Sequence, residues 1–97
     1  MSIPVVARYR AAPGRLPEVL ELLAAVAPLN RAEDGCQRFD VFHDETDPDV
    51  IVILEQWATD DHIAAHHASR HFQDLVLGRL VPILDSREIT RLKVVSE

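Results

Sequence analysis

Four of the five histidines in this chain, His62, His66, His67 and His71, fall within ten residues of one another. They follow a strand-like run that ends in Glu55-Gln56-Trp57 and carries the only tryptophan. Imidazoles titrate near neutral pH and exchange protons there. A strand carboxylate, an indole and several imidazoles suggest a pocket with aromatic and apolar walls and proton-transfer groups at its edge. A neutral imidazole in such a pocket could draw a proton from a phenol or enol, and Trp57 could stack on a planar ring. His66 and His67 both flank Ile63 on a helical projection, so periodicity alone does not choose between them.

The other polar residues are weighed against that pocket. Glu55 shares a strand face with Ile51, Ile53 and Trp57, and a carboxylate on such a face is rarely unpaired. An ion pair with Arg31, Arg8 or Arg38 is therefore expected, with a raised pKa and an acid or base role as the alternative. His71, Phe72 and His43 complete the expected substrate-binding set with Glu55, although Phe72 also belongs to an apolar core stripe. The pairs His62/His66 and His67/His71 have i, i+4 spacing, which can grip a metal on a helix face. They lack the Glu of an H-E-x-x-H motif, and no cysteine or carboxylate joins them at ligand spacing, so no metal is expected. Cys36 has no basic neighbour in sequence and reads as a small buried hydrophobe. There is no Gly-rich phosphate loop, nucleophile elbow or cysteine pair.

The elements that must position these residues can be read from periodicity. Ile3 to Arg10 reads as a strand, closed by Pro13-Gly14. Leu16, Val19, Leu20, Leu23, Val26 and Ala27 mark an amphipathic helix, with Pro17 in its first turn and Pro28 where it should stop. Arg31, Glu33 and Gly35 are expected to fix the turn into a strand from Cys36 to Asp44, which presents Phe39, Val41 and His43 on one face. Thr46 to Asp49 is a hairpin loop. Val50 to Ala58 is nearly all apolar and reads as a central strand covered on both faces. Thr59 is a plausible N-cap. A continuous helix beyond it would place Ile63 opposite Phe72, at about 100° per residue. Two helices, 59–68 and 70–81, with Ser69 capping the second and Pro82 ending it, remove the conflict. Ser86 to Val95 gives the last strand.

The order is βαββαβ, an α+β, ferredoxin-like arrangement with helices on one face of an antiparallel sheet. The uncovered apolar sheet face argues for a second copy, hence a homodimer. Ninety-seven residues suffice for one domain, 1–97. The net charge of −6 argues against nucleic acid or an anionic membrane as partner. No apolar run approaches the roughly 20 residues of a membrane span, and the N-terminal segment lacks signal-peptide character. A single cysteine fits a reducing, cytoplasmic setting.

Four segments resemble the antibiotic biosynthesis monooxygenase (ABM) family of dimeric α+β barrels. Val5-Val6-Ala7-Arg8-Tyr9-Arg10 before Pro13-Gly14 resembles its opening strand. Arg31 to Cys36 resembles its R-x-E-x-G-C turn, Glu55-Gln56-Trp57 its E-x-W strand end, and His66 to Phe72 its H-x-x-S-x-H-F helix. The resemblance implies oxygenation of a small aromatic, quinol or anthrone-like substrate by molecular oxygen, with no cofactor. It selects His66 as the catalytic base or anion partner, with Trp57 beside it. Isomerisation or other proton transfer on the same scaffold, and a non-catalytic ligand-binding dimer, are the alternatives. Related barrels degrade haem with an axial histidine where this chain has Val76, so that activity is disfavoured.

Overall fold

The computed structural model describes residues 2–97; Met1, which opens the N-terminal segment discussed above, lies outside them. Strands β1 (Ile3–Ala11), β2 (Cys36–His43), β3 (Val50–Trp57) and β4 (Leu84–Arg91) form one antiparallel sheet in the order β2-β3-β1-β4. Helices α1 (Leu16–Arg31) and α2 (Asp60–Ala68) and a π-helix, Phe72–Leu80, complete the ferredoxin-like βαββαβ order. A short 3₁₀ turn, Val81–Ile83, leads into β4. The alternation of β1 and β3 sends Ala7, Tyr9, Ile51 and Ile53 into the core beneath α1 and the π-helix, where they meet Val19, Leu23, Val26, Val76 and Leu80. A second cluster of Val5, Trp57 and Ile63 sits under α2.

β3 is central, as its apolar run implies. Within this chain, however, only one of its faces is covered. Val52 and Leu54 on the opposite face stay partly exposed, beside Val6 and Phe42 in register.

Three boundaries differ from the sequence reading. α1 runs through Pro28 to Arg31 instead of stopping at the proline. Its last turn is held by tertiary contacts: Asn30 is buried, and Arg31 Nε donates to the Phe39 carbonyl at 2.9 Å. These offset the missing amide and the ring clash of an internal proline. β4 starts at Leu84 and ends at Arg91, not at Val95. Beyond the Val5–Arg91 pair only the Leu92 amide still finds β1, at the Pro4 carbonyl 2.9 Å away, and Pro4 has no N–H to return. The helical segment does break at Ser69, but its second part winds as a π-helix. That wide winding keeps Phe72, Val76 and Leu80, four residues apart, together on the buried face.

Candidate functional site

The site begins at the end of β3. Glu55 and Trp57 are two residues apart, so they project from the same face toward the helices. The Trp57 indole N–H donates to Glu55 Oε1 at 2.9 Å. Immediately after, Thr59 caps α2 by accepting the His62 amide on its hydroxyl, and Asp60 and Asp61 occupy the first turn. The last full turn of α2 lays the His66 ring on Trp57, with centroids 4.6 Å apart and planes at 28°. The Phe72 ring closes on His66 edge-on at 5.0 Å and 60°. Ser69 fixes the break between the helices. Its hydroxyl donates to the His66 carbonyl at 2.7 Å and accepts the Phe72 amide at 3.3 Å. That break brings His71 round beside His66.

Glu33 joins the two imidazoles. His66 Nδ1 lies 2.6 Å from Glu33 Oε2, and His71 Nε2 lies 3.2 Å from the same oxygen. His71 Nε2 also meets Asn30 Oδ1 at 2.9 Å. Glu33 was expected only to shape a turn. Its backbone does hold that turn, with the Cys36 amide donating to the Glu33 carbonyl at 3.2 Å, and its carboxylate in addition accepts from the imidazoles, because Gly35, at φ +79°, leaves Glu33 facing α2. With Glu33 accepting at Nδ1, neutral His66 carries its proton there and leaves Nε2 as the basic nitrogen.

A cavity of about 300 Å³ opens between the sheet and the helices. His66, Trp57, Glu55 and Phe72 all line it, with Tyr9, Ile53, Val76 and Arg87 among the remaining walls. Asn30 and His67 reach it too. His71 stands behind His66 as part of this hydrogen-bonded cluster and not among the lining residues. His43 is exposed at the far end of β2 and is not brought to the cavity, because its register partner, Ile51, lies six residues before Trp57 along β3. The ion pair expected for Glu55 also differs: Arg8 holds Asp44, Arg38 holds Asp40 and Arg31 holds a carbonyl. Glu55 has the Trp57 indole and the field of Arg87 instead.

The fold is shared widely. A conserved protein from Methanosarcina mazei superposes with a TM-score of 0.90 at 26% identity, covering 96% of this chain and 92% of that one. A Pseudomonas aeruginosa protein gives 0.90 at 27%, covering 98% and 95%. A solved structure described as an antibiotic biosynthesis monooxygenase gives 0.90 at 25%, covering 97% and 99%. No curated protein matches the chain in sequence. The family model for antibiotic biosynthesis monooxygenase matches residues 2–76. The chain belongs to the ABM family.

In this ABM protein the electrostatics of the site follow from burial. His66 is only 5% exposed. Desolvation lowers its pKa from the ordinary histidine value, while the Glu33 hydrogen bond and charge work in the opposite direction. The net direction favours the neutral imidazole. Burial pushes the Glu55 carboxyl up, opposed by the Trp57 hydrogen bond and by Arg87. Burial likewise raises the Tyr9 phenol, against the pull of Arg87.

Glu33, His66 and His71 are also the side chains that could hold a metal, since their donor atoms lie within 4.8 Å of one another. The 2.6 Å separation of His66 Nδ1 and Glu33 Oε2 is a hydrogen-bond distance. Two ligands each about 2.1 Å from one ion stand roughly 3 Å or more apart. In this arrangement the three residues form a hydrogen-bonded cluster, and a metal would have to spread them.

Proposed function

We propose that this ABM protein oxidises a small aromatic, quinol or anthrone-like substrate with molecular oxygen, using its own side chains and no cofactor. The observation that carries the reading is the Glu33–His66–Trp57 stack at the cavity wall: a buried, neutral imidazole held by a carboxylate and lying on an indole. Substrate stacks against Trp57, and His66 Nε2 takes the acidic C–H or O–H proton. The resulting anion passes an electron to oxygen, and the radical pair recombines to a peroxide. For an anthrone methylene, loss of water then leaves a carbonyl: CH₂ and O₂ become C=O and H₂O. Family membership favours this chemistry over other uses of the same base.

His66 and Trp57 act on substrate in this reading, Glu55 and Phe72 bound it, and His71 positions Glu33. The cluster suits isomerisation equally well, since a tautomer-fixed imidazole moves protons with or without oxygen. We propose further that the protein works in the cytoplasm as a homodimer. The single thiol supports the first of these and the apolar outer sheet face supports the second. Among the described residues, no helix is long and apolar enough to cross a membrane.

The deciding experiment is dissolved-oxygen consumption with a panel of anthrones and hydroquinones in chelator-treated buffer, comparing wild type with His66→Ala. Uptake in wild type that falls at least about 100-fold in the variant is expected, the scale of general-base catalysis. Undiminished uptake in His66→Ala would overturn the mechanism. Turnover under anaerobic conditions would favour the isomerase.

A further inference from the structure

Two arginines line the cavity, Arg87 and Arg91, and the reaction above uses neither; Arg91 is paired with Asp60, whereas Arg87 is not paired with a carboxylate among the described residues. Arg87 stands on β4 directly opposite Tyr9 on β1, on the sheet face that floors the cavity. Its guanidinium carbon lies 5.8 Å from the Tyr9 ring centroid. Its Nε is fully buried and has no hydrogen-bond partner among the described residues.

The other arginines make the contrast. Arg8, Arg10, Arg15, Arg38 and Arg91 each pair with a carboxylate: Asp44, Asp47, Glu18, Asp40 and Asp60. Arg31 is bonded to the Phe39 carbonyl. Arg70 and Arg79 are exposed, where water serves them. Arg87 alone among the described arginines is drawn in from solvent without a carboxylate partner.

No carboxylate of this chain is bonded to it among the described residues. Tyr9 is held in its protonated form by burial. Glu55 acts on it through its field and not through a hydrogen bond, since its Oε1 is occupied by the Trp57 indole. A guanidinium offers parallel N–H donors along one edge, a geometry that matches the two oxygens of a carboxylate. Arg87 Nε has no partner among the described residues, and Arg87 lines the cavity, so its guanidinium is the charge a ligand carboxylate would meet there.

We propose that Arg87 is the anion-binding residue of this pocket, and that the ligand is a planar aromatic bearing a carboxylate, seated with its ring against Trp57 and its carboxylate on the Arg87 edge. The inference rests on the reading of the cavity as an aromatic pocket and adds the charge that its occupant carries. At about 300 Å³ the cavity lies at the small end for ligand sites, which suits one or two fused rings. The ring then spans from Arg87 on the sheet floor to His66 at the helix wall, so the carboxylate sets which ring atom meets the base.

The test is calorimetric titration at pH 7, under nitrogen, with two isosteric probes: 1-hydroxy-2-naphthoate and the neutral 1-hydroxy-2-naphthamide. Wild type is expected to prefer the naphthoate by about tenfold or more, roughly the share of one charge-assisted contact. Arg87→Met should erase the preference while naphthamide affinity is kept. Glu55→Gln, which lifts a competing negative charge from beside Arg87, should tighten the naphthoate alone and does not depend on Arg87→Met folding. Equal affinities in wild type, no naphthoate binding, or a preference that survives Arg87→Met would overturn the proposal. Because binding is read without oxygen, a naphthoate preference with no oxygen uptake on any substrate would sink the oxygenase and spare the anion site. Oxygen uptake on neutral hydroquinones with no naphthoate preference would do the reverse.

Discussion

Glu33 is the residue on which the chemistry of the site turns, because one carboxylate oxygen serves two imidazoles at 2.6 and 3.2 Å. Its hydrogen bond orients the His66 ring and assigns the tautomer, in the way a carboxylate orients the histidine of a hydrolase triad. Burial lowers the His66 pKa, and Glu33 raises it in partial compensation. The sign of the Glu33→Gln effect follows. With the charge gone and burial unchanged, the folded-state pKa of His66 must fall further. Titration of the His66 ring by NMR should give a midpoint below about 6.5, the unperturbed value, in wild type and a lower one in Glu33→Gln. A midpoint unmoved or raised in the variant would mean that Glu33 does not hold His66. Turnover should fall at least about tenfold with KM little changed, because Gln accepts at Nδ1 without stabilising the imidazolium that forms. At this scale the sequence was partly legible. His66, Trp57, Glu55 and Phe72 stand out by type and spacing, and they line one cavity. Glu33 does not stand out, because a turn residue 33 positions from its partner in sequence leaves no periodic trace. The R-x-E-x-G-C match is the available signal, and its spacing by itself describes only a turn. His43 lies away from that cavity, since alternation gives a residue's face but not its distance along the strand.

The elements owe their placement to a few constrained turns. Gly35 and Gly14 have nearly the same backbone, φ +79° and +77°, but different surroundings. A Cβ at Gly14 would meet no atom within 4 Å, whereas at Gly35 it would run into the His62 ring on α2. Gly14→Ala should therefore cost only the backbone strain of a left-handed residue, about 1 kcal/mol. Gly35→Ala should add steric displacement of α2 and cost about 2–4 kcal/mol, the sum of strain and overpacking. Urea unfolding of the two variants side by side measures the difference, and equal losses would show that the His62 contact is irrelevant. Since Gly35 also lets Glu33 reach His66, Gly35→Ala should lower turnover more than Gly14→Ala does. The sheet and the helix break at Ser69 were legible, because alternation and the Ile63–Phe72 conflict are local patterns. The π-winding and the run of α1 through Pro28 were not. Both are settled by tertiary contacts, from Phe72, Val76 and Leu80 in one case and from Asn30 and Arg31 in the other. Local propensity cannot anticipate contacts of that kind.

At the scale of the whole molecule the sheet has two faces with different tasks. One carries the core and the cavity. The other carries Val6, Val52, Leu54 and Phe42 in adjacent register positions, with Phe42 left 45% exposed. Arg8 and Glu88 lie opposite each other across β1 and β4 on that same face and give it a charged margin. An apolar centre with a charged edge is the pattern of a surface that another subunit covers. If a second copy covers it, a charge at the centre must separate the copies. Leu54 pairs with Val6 on one side and Asp40 on the other, which places it at the middle of the patch. Leu54→Arg would drive a long, charged side chain into the joint while leaving the cavity face intact. Light scattering coupled to size exclusion should give the mass of two chains for wild type and of one for the variant. A wild-type monomer would remove the dimer from the proposal, and a dimeric Leu54→Arg would place the interface elsewhere. Such a dimer would also bear on the pocket. Ile51, Ile53, Glu55 and Trp57 alternate along β3 with Val52 and Leu54, so a partner that stiffens the outer face holds Glu55 and Trp57 at fixed depth. The Leu54→Arg monomer should therefore bind 1-hydroxy-2-naphthoate more weakly than wild type, although it carries every residue that lines the cavity.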